Sequence, residues 1–207
     1  MWEPLTAREE RFRDRLMAPV VRLVPPWIHP THLSLLRLGM VALAVVLYAA
    51  GAGSAVLQVT ILMAAAATDS VDGALARSRG QATPLGGLVD AVSDWALAFW
   101  LGCLVLARGI LGYGLIGGMI APQLVIIGAG RRFSGRSLSL KAVRLKPTAP
   151  GRLQFVLVLG GFALLLLGDA AGKRGLLMAG YATLYAEVGV ATITALGAVR
   201  APAERGA

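Results

Sequence analysis

The chain has 207 residues and a net charge of +9, and it is 57% hydrophobic but only 15% charged. A soluble domain carries about 25% charged residues, so this balance excludes an ordinary soluble fold and predicts an all-α, polytopic membrane protein. The single cysteine, Cys103, excludes a disulfide framework. Nucleic-acid binding does not account for the basic charge, because few aromatic residues are interleaved with the basic ones and most of the chain is apolar.

The first 27 residues are predicted to lie on the membrane surface. Between residues 5 and 24, apolar side chains recur at helical spacing while five arginines occupy other faces. This pattern is typical of an amphipathic juxtamembrane helix at a lipid surface. The alternative is an ordinary solvated segment. Pro25 and Pro26 end the predicted helix.

Six transmembrane helices are predicted in the remainder of the chain. They are expected at residues 33–50, 55–77, 86–107, 110–130, 153–168 and 176–199. Residues 28–200 thus form the predicted membrane domain, and residues 201–207 form a short polar tail.

The lysines and arginines predict how this domain is oriented. With six spans, 17 basic residues fall on the side of the N-terminus and 3 on the other side. Because cytoplasmic loops carry the excess of basic residues, both termini are predicted to be cytoplasmic. In a prokaryote the membrane would be the plasma or inner membrane.

Four aspartates lie at the cytoplasmic ends of the second and third predicted spans. Asp69 and Asp72 are three residues apart and Asp90 and Asp94 are four apart, so each pair shares one face of its helix. The short link between the spans makes them antiparallel neighbours, and the two pairs can converge.

A charged Asp at the bilayer centre costs about 2.5–3.5 kcal/mol, and less at the cytoplasmic face where these four acids are predicted, so a compensating charge such as a metal ion is expected. Oxygen ligands favour Mg²⁺ or Mn²⁺, with Ca²⁺ as a competitor. The alternative is a set of solvated helix ends. The helix dipole would favour acids at Asp90 and Asp94, which begin a span, but not at Asp69 and Asp72, which end one.

The spacing of these residues resembles the signature of the CDP-alcohol phosphatidyltransferase family. The matching pattern is Asp-x-x-Asp-Gly-x-x-Ala-Arg, eight residues, then Gly-x-x-x-Asp-x-x-x-Asp, which here comprises Asp69, Asp72, Gly73, Ala76, Arg77, Gly86, Asp90 and Asp94. The segment from Pro30 to Arg37 also resembles the proline-led segment that opens the family's first span.

The resemblance implies a reaction and roles for the residues. A CDP-linked lipid, usually CDP-diacylglycerol, gives its phosphatidyl group to an alcohol, and CMP leaves. Asp69, Asp72 and Asp90 would hold one or two divalent ions, while Asp94 would complete the second-ion site and act as general base. The positions that match the family's CDP-lipid pocket are Gly73, Ala76, Arg77, Thr83 and Pro30. Family members are often homodimers, so the resemblance also implies a homodimer.

The acceptor alcohol stays open at this point. Residues 131–152 carry seven basic residues and no acid, which favours either a phosphorylated acceptor or contact with anionic lipid headgroups. Arg131, Arg132 and Arg152 are the predicted acceptor-binding residues. Glycerol 3-phosphate is the first choice, as in the phosphatidylglycerophosphate synthase-like branch, and inositol phosphate is the second. A non-catalytic membrane scaffold of the same fold is the alternative of a different class.

One further acid lies inside the sixth predicted span. Glu187 stands in an apolar run, and an intramembrane acid is either functional or engaged in a contact between helices or subunits.

Overall fold

The computed structural model describes residues 19, 21, 23–25, 27–80, 83–133 and 149–200. The predicted interfacial segment of residues 1–27 lies almost entirely outside the described residues, as do the tail 201–207 and most of the loop 131–152. The expectations for these three segments therefore stay predictions.

Six helices of 20 residues or more make up nearly all of the described ranges. They are α1 (Pro30–Ala49), α2 (Ala55–Arg79), α3 (Pro84–Ala107), α4 (Tyr113–Phe133), α5 (Ala149–Ala170) and α6 (Arg174–Arg200). These ranges contain no strand, so the predicted all-α class is confirmed.

Five stretches within the described ranges are long and apolar enough to cross a membrane. They are Pro30–Ala49, Ala55–Arg79, Leu85–Ala107, Pro150–Ala170 and Arg174–Val199. The predicted fourth span falls on α4, in which the described apolar stretch is Tyr113–Ile126. The helices therefore indicate an integral membrane protein, and the count of six spans stays a prediction.

The ends of α2 follow from local chemistry. Ser54 precedes the helix, and its hydroxyl accepts a hydrogen bond from the backbone N–H of Leu57 at 3.3 Å. This satisfies one of the N–H groups that have no partner within the helix. Gly80 ends the helix with a left-handed φ of 61°, which glycine adopts without a steric penalty. The chain can therefore turn sharply after Arg79 toward α3.

The described helices belong to two compact units. The first contains α1, α2 and α3 as far as Leu104, together with residues 169–172. The second contains residues 105–168 and the chain from Lys173 onward, and thus α4, α5 and α6.

The first unit is a three-helix assembly with an apolar core and an apolar outer surface. Its buried side chains include Val41, Ala44, Val59, Leu62, Leu97 and Leu101. On α3, Trp95 and Phe99 are 77% and 72% exposed. Large exposed apolar side chains on a helix of this length are suited to contact with lipid chains.

A single glutamine joins the three helices of this unit. Gln58 on α2 is 1% exposed, and its Nε2 donates to the carbonyl of Ala44 on α1 at 2.8 Å. Its Oε1 accepts from Trp100 Nε1 on α3 at 3.1 Å. The Trp100 ring also meets the Tyr48 ring edge to face, with centroids 5.6 Å apart. These contacts fix α1 and α3 against the first half of α2.

In the second unit, α5 and α6 approach closely along a row of glycines. A Cβ atom on Gly161 would lie 2.6 Å from Leu184 Cδ2, and one on Gly168 would lie 2.8 Å from the backbone nitrogen of Leu177. No side chain larger than hydrogen fits at these positions unless a neighbour moves. Small residues permit this kind of close helix packing in membrane proteins.

Polar side chains also connect the helices of the second unit. Gln154 on α5 accepts a hydrogen bond from Gln123 on α4 at 3.0 Å and donates one to Thr194 on α6 at 3.3 Å. Glu187 on α6 is 2% exposed, and its Oε2 has no hydrogen-bond partner among the described residues. In the described part of this unit, Gln154 thus links three helices by hydrogen bonds, whereas Glu187 has a buried carboxylate oxygen without a hydrogen bond.

Candidate metal and nucleotide-lipid site

Two helices carry the four aspartates that the sequence singles out. Asp69 and Asp72 lie in the second half of α2, and Asp90 and Asp94 lie in the first half of α3. The spacings of three and four residues place each pair on one face of its helix. All four carboxylates are brought together in the first unit, around one residue of α1.

That residue is Arg37, whose side chain is 0% exposed. Its Nη1 donates to Asp90 Oδ1 at 2.8 Å and to Asp94 Oδ1 at 2.7 Å. Its Nη2 donates to Asp72 Oδ2 at 2.7 Å and lies 3.5 Å from Asp69 Oδ1. One guanidinium group thus contacts the carboxylates of both α2 and α3.

Sequence reasoning missed this role of Arg37. The residue was counted with the basic residues of the cytoplasmic side and with the proline-led segment that opens the first span. The signal was present, however, because Arg37 is the only charged residue of the predicted first span. A charge within a span needs a partner of opposite sign, and the four aspartates are the acids predicted at the same membrane face as Arg37.

Three hydroxyl groups hold the guanidinium and Asp72 in place. Arg37 Nε donates to Thr68 Oγ1 at 3.4 Å, and Nη1 also donates to Ser93 Oγ at 3.3 Å. Ser34 Oγ donates to Asp72 Oδ2 at 3.3 Å. Ser34 and Ser93 are buried. Hydrogen-bond partners on α2 and α3 therefore define the orientation of the guanidinium plane.

The cluster is closed on one side and open on the other. The side chain of Arg37 is 0% exposed, that of Asp72 is 5% exposed and that of Asp94 is 27% exposed. Asp69 and Asp90 are 35% and 39% exposed. A ligand that enters the cluster therefore meets Asp69 and Asp90 first.

Three of the acids fit a divalent cation. One carboxylate oxygen from each of Asp69, Asp72 and Asp90 lies within 4.8 Å of the other two. Carboxylate oxygens are the ligands that Mg²⁺ and Mn²⁺ prefer, and three of them leave coordination positions for water or phosphate oxygens. Asp94 is not part of this triad, although it shares Arg37 with its members. The donor set thus fits a hard cation on the residues 69, 72 and 90.

The residues predicted to line a CDP-lipid pocket lie at the end of the unit that carries the acids. Gly73 and Ala76 follow Asp72 on α2 and are half-buried, and Arg77 is exposed. They share the helix that supplies two of the four carboxylates. Their predicted contacts with a nucleotide stay a prediction.

Two helix N-termini meet at the same end. Pro30 begins α1 and Thr83 directly precedes α3, where its Oγ1 accepts from the backbone N–H of Gly86 at 3.0 Å. A Cβ atom on Gly86 would lie 3.4 Å from Thr31 Oγ1 on α1, so the two helices approach closely there. Helix N-termini present backbone N–H groups and positive dipole ends, which suit phosphate groups.

The predicted acceptor-binding residues belong to the second unit. Arg131 and Arg132 lie in the last turn of α4, and their side chains are outside the described part of the structure. Arg152 lies in the first turn of α5 and is half-buried. Their part in a site therefore stays a prediction.

Comparison with known proteins gives one result over most of the chain. The family model described as CDP-alcohol phosphatidyltransferase matches residues 27–194. Neither a curated protein nor a solved structure matches the chain. The matched range includes all four aspartates, Arg37 and most of the helices described above.

Proposed function

Because the chain belongs to the CDP-alcohol phosphatidyltransferase family, we propose that it transfers the phosphatidyl group of CDP-diacylglycerol to a polar alcohol and releases CMP. Family membership identifies the chain as a phosphotransferase that acts on a CDP-alcohol. One observation supports the assignment of this activity to the aspartate cluster. Three carboxylates offer oxygens within 4.8 Å of one another beside a fourth carboxylate, on the helices that bear the family's pattern.

In this proposal, Asp69, Asp72 and Asp90 hold one or two Mg²⁺ or Mn²⁺ ions, with Asp94 completing the site for the second. Bound there, the ion would neutralise charge on the pyrophosphate and stabilise the departing CMP. The exposure of Asp69 and Asp90 supports entry of the pyrophosphate from their side of the cluster. Arg37 and Asp72 form the closed side of the cluster.

Asp94 is the proposed general base. The hydroxyl oxygen of the acceptor attacks the phosphorus that bears the diacylglycerol, and the bond from that phosphorus to the bridging oxygen of the pyrophosphate breaks. The hydroxyl proton passes to Asp94, and the electron pair of the broken bond leaves with CMP. Arg37 Nη1 holds Asp94 Oδ1 at 2.7 Å and thereby orients the carboxylate. A side chain that is 27% exposed is accessible to an entering hydroxyl.

The nucleotide part of the substrate is proposed to bind where the helix ends meet. Gly73 and Ala76 leave room against α2, and the Arg77 guanidinium can pair with phosphate oxygens. Pro30 and Thr83 mark the two N-termini that would face the same phosphates. This arrangement would place the diphosphate between the ion site and the open end of the unit.

The acceptor is proposed to be glycerol 3-phosphate, bound by Arg131, Arg132 and Arg152, with inositol phosphate as the second choice. Support comes from the basic character of residues 131–152, which contain no acid. The site is proposed to face the cytoplasm because 17 of 20 basic residues fall on that side when six spans are counted. A phosphorylated alcohol is water-soluble and would reach the site from there.

The decisive experiment measures CMP release from CDP-diacylglycerol by the purified chain in lipid nanodiscs. We expect release that requires Mg²⁺ or Mn²⁺, is abolished by EDTA and depends on one acceptor from a panel that includes glycerol 3-phosphate and inositol phosphate. Asp69→Asn should abolish release, whereas Asp169→Asn, a matched change at an exposed acid near the end of α5, should not. Absence of release with every acceptor, and of ion-dependent binding of the CDP-lipid, would refute the proposal.

The acceptor assignment has its own test. Arg131→Ala should raise the KM for the acceptor while leaving the KM for CDP-diacylglycerol unchanged. An unchanged acceptor KM would remove Arg131 from the acceptor site without affecting the assignment of the acids.

A further inference from the structure

We propose that Arg37 is a resident counter-charge of the carboxylate cluster, which stabilises the ion-free site and weakens the binding of the divalent cation. The inference rests on the proposed function in one respect, namely that the aspartates bind a divalent ion. It concerns a residue of α1 outside the aspartate pattern, and it assigns Arg37 a positioning role that affects how tightly the ion is held.

The contacts of Arg37 leave little of its guanidinium unused. All three side-chain nitrogens have partners: Nε contacts Thr68, Nη1 contacts two aspartates and Ser93, and Nη2 contacts two aspartates. The side chain is fully buried, so water does not replace any of these partners. Arginine suits such a position because its planar group offers five N–H donors in a fixed geometry.

The formal charges show why the cluster needs this cation when no ion is present. Four carboxylates and one guanidinium leave a formal charge of −3, and without Arg37 the charge would be −4. Like charges at these distances repel strongly where the surroundings are poorly hydrated. Arg37 therefore stabilises the fold of the first unit before an ion binds.

The same geometry makes Arg37 a competitor of the ion. The three acids that can supply ion ligands are also partners of the guanidinium, namely Asp69, Asp72 and Asp90. The ion and Arg37 thus share carboxylates and repel each other. Such a coupling is reciprocal. Because the bound ion weakens the contacts of Arg37 with the carboxylates, Arg37 lowers the affinity of the carboxylates for the ion by the same free energy.

A matched arginine in the same unit has different partners. Arg79, at the end of α2, donates to the backbone carbonyl oxygens of Val24, Pro25 and Ile28 at 2.6, 3.2 and 2.9 Å. Loss of its side chain should reduce stability through lost hydrogen bonds. Because these acceptors are backbone carbonyls and not ion ligands, the change should leave the affinity for the ion unaltered.

The experiment uses the full chain in detergent micelles and Mn²⁺ or Mg²⁺ alone as the probe. Mn²⁺ binding is measured by electron paramagnetic resonance, and Tm is measured in EDTA and in saturating Mg²⁺. For Arg37→Gln we expect a lower Tm in EDTA, a larger rise of Tm on adding Mg²⁺ than in the unaltered chain, and a Kd for Mn²⁺ at least tenfold lower. Arg37→Lys keeps a charge that reaches fewer carboxylates, so all three effects should be smaller but of the same sign.

Arg79→Gln should lower Tm by a similar amount in EDTA and in Mg²⁺, with an unchanged Kd for Mn²⁺. If Arg37→Gln binds Mn²⁺ with unchanged or weaker affinity, the inference is overturned, and Arg37 is then a purely structural or pre-organising residue. If that variant cannot be purified without an ion, the Kd of Arg37→Lys decides by the same criterion.

The result can be separated from the proposed function because no CDP-lipid is present. Failure of the unaltered chain to bind Mn²⁺ would overturn the inference, whereas CMP release tests the transfer reaction on its own. Conversely, tighter Mn²⁺ binding by Arg37→Gln would support the inference even if no acceptor yields CMP.

Discussion

Asp90 and Asp94 accept hydrogen bonds from the same nitrogen of Arg37, at 2.8 Å and 2.7 Å. One turn of α3 separates them, and the shared donor fixes the distance between their carboxylates. Only Asp90 belongs to the triad that can hold a cation. Arg37 thus contacts both acids, but only Asp90 lies close enough to Asp69 and Asp72 to share an ion with them. This difference is the basis for assigning Asp90 and Asp94 different roles.

Asp94→Asn should lower turnover strongly while the CDP-lipid still binds. The amide cannot accept the hydroxyl proton, and a positioned general base contributes about 10²–10⁴-fold to the rate. We therefore expect kcat for CMP release to fall by at least about 100-fold. Binding of CDP-diacylglycerol in Mg²⁺, measured by equilibrium filtration, should change little. A variant that stays active would show that Asp94 is not the base.

Asp72→Ala should destabilise the ion-free chain more than Asp90→Ala. The Asp72 side chain is 5% exposed and accepts from both Arg37 and Ser34, whereas the Asp90 side chain is 39% exposed. Loss of a buried hydrogen bond to a charged group costs about 1.5–3 kcal/mol. Asp90 borders the open side of the cluster, where water can partly replace the carboxylate, so its loss should cost less. Titration with SDS in EDTA measures the free energy of unfolding of both variants. An equal loss in the two variants would contradict the expectation that the more buried acid contributes more to stability.

Gly168→Ala should destabilise the second unit, and Gly160→Ala should not. A Cβ on Gly168 would lie 2.8 Å from the backbone nitrogen of Leu177, whereas one on Gly160 meets nothing within 4 Å. Overpacking costs about 1–3 kcal/mol, while alanine in place of glycine in an open helix position gains about 0.5–1 kcal/mol. Thermal unfolding of the two variants tests this, and similar Tm values would mean that α5 and α6 separate at little cost.

Gln58→Leu should cost more stability than Trp100→Phe. Gln58 bonds to both Ala44 and Trp100, so leucine removes two contacts between helices and phenylalanine removes one. Such bonds within membranes contribute about 0.6–2 kcal/mol each. Neither residue contacts the carboxylate cluster directly, so the Kd for Mn²⁺ should stay the same. A change in that Kd would show that the first half of α2 is coupled to the ion site.

Glu187→Gln should stabilise the chain without changing CMP release. The side chain is 2% exposed and its Oε2 has no hydrogen-bond partner among the described residues. Removing a charge from an apolar span can relieve up to about 3 kcal/mol. Glu187→Asp keeps the carboxylate and should bring no such gain. Loss of CMP release in a folded Glu187→Gln variant would instead identify a functional acid.

The elements that the sequence predicted well depend on local periodicity. Asp69 and Asp72, like Asp90 and Asp94, were placed on helix faces from their spacing alone, and a short link was enough to predict that the two helices are neighbours. The all-α class followed from long apolar runs. Thr83, matched to a pocket position by resemblance, also caps α3 through its hydroxyl.

Long-range partners were not predictable in the same way. Arg37 contacts Asp72 and Asp94, which lie 35 and 57 residues further along the chain. Spacing along one helix carries no information on such contacts, because they depend on how α1 packs against two other helices. The contact of Gln58 with Trp100, 42 residues away, was missed for the same reason.

The position of Arg37 also bears on how the protein is made. The ribosome delivers α1 with its arginine before any of the four carboxylates exists, and Asp72 follows only 35 residues later. An unpaired arginine costs about 2.5–3.5 kcal/mol at the middle of a span and less near the membrane face. The carboxylates of α2 and α3 would offset this cost, so we expect α1 to insert more readily together with α2 and α3 than alone.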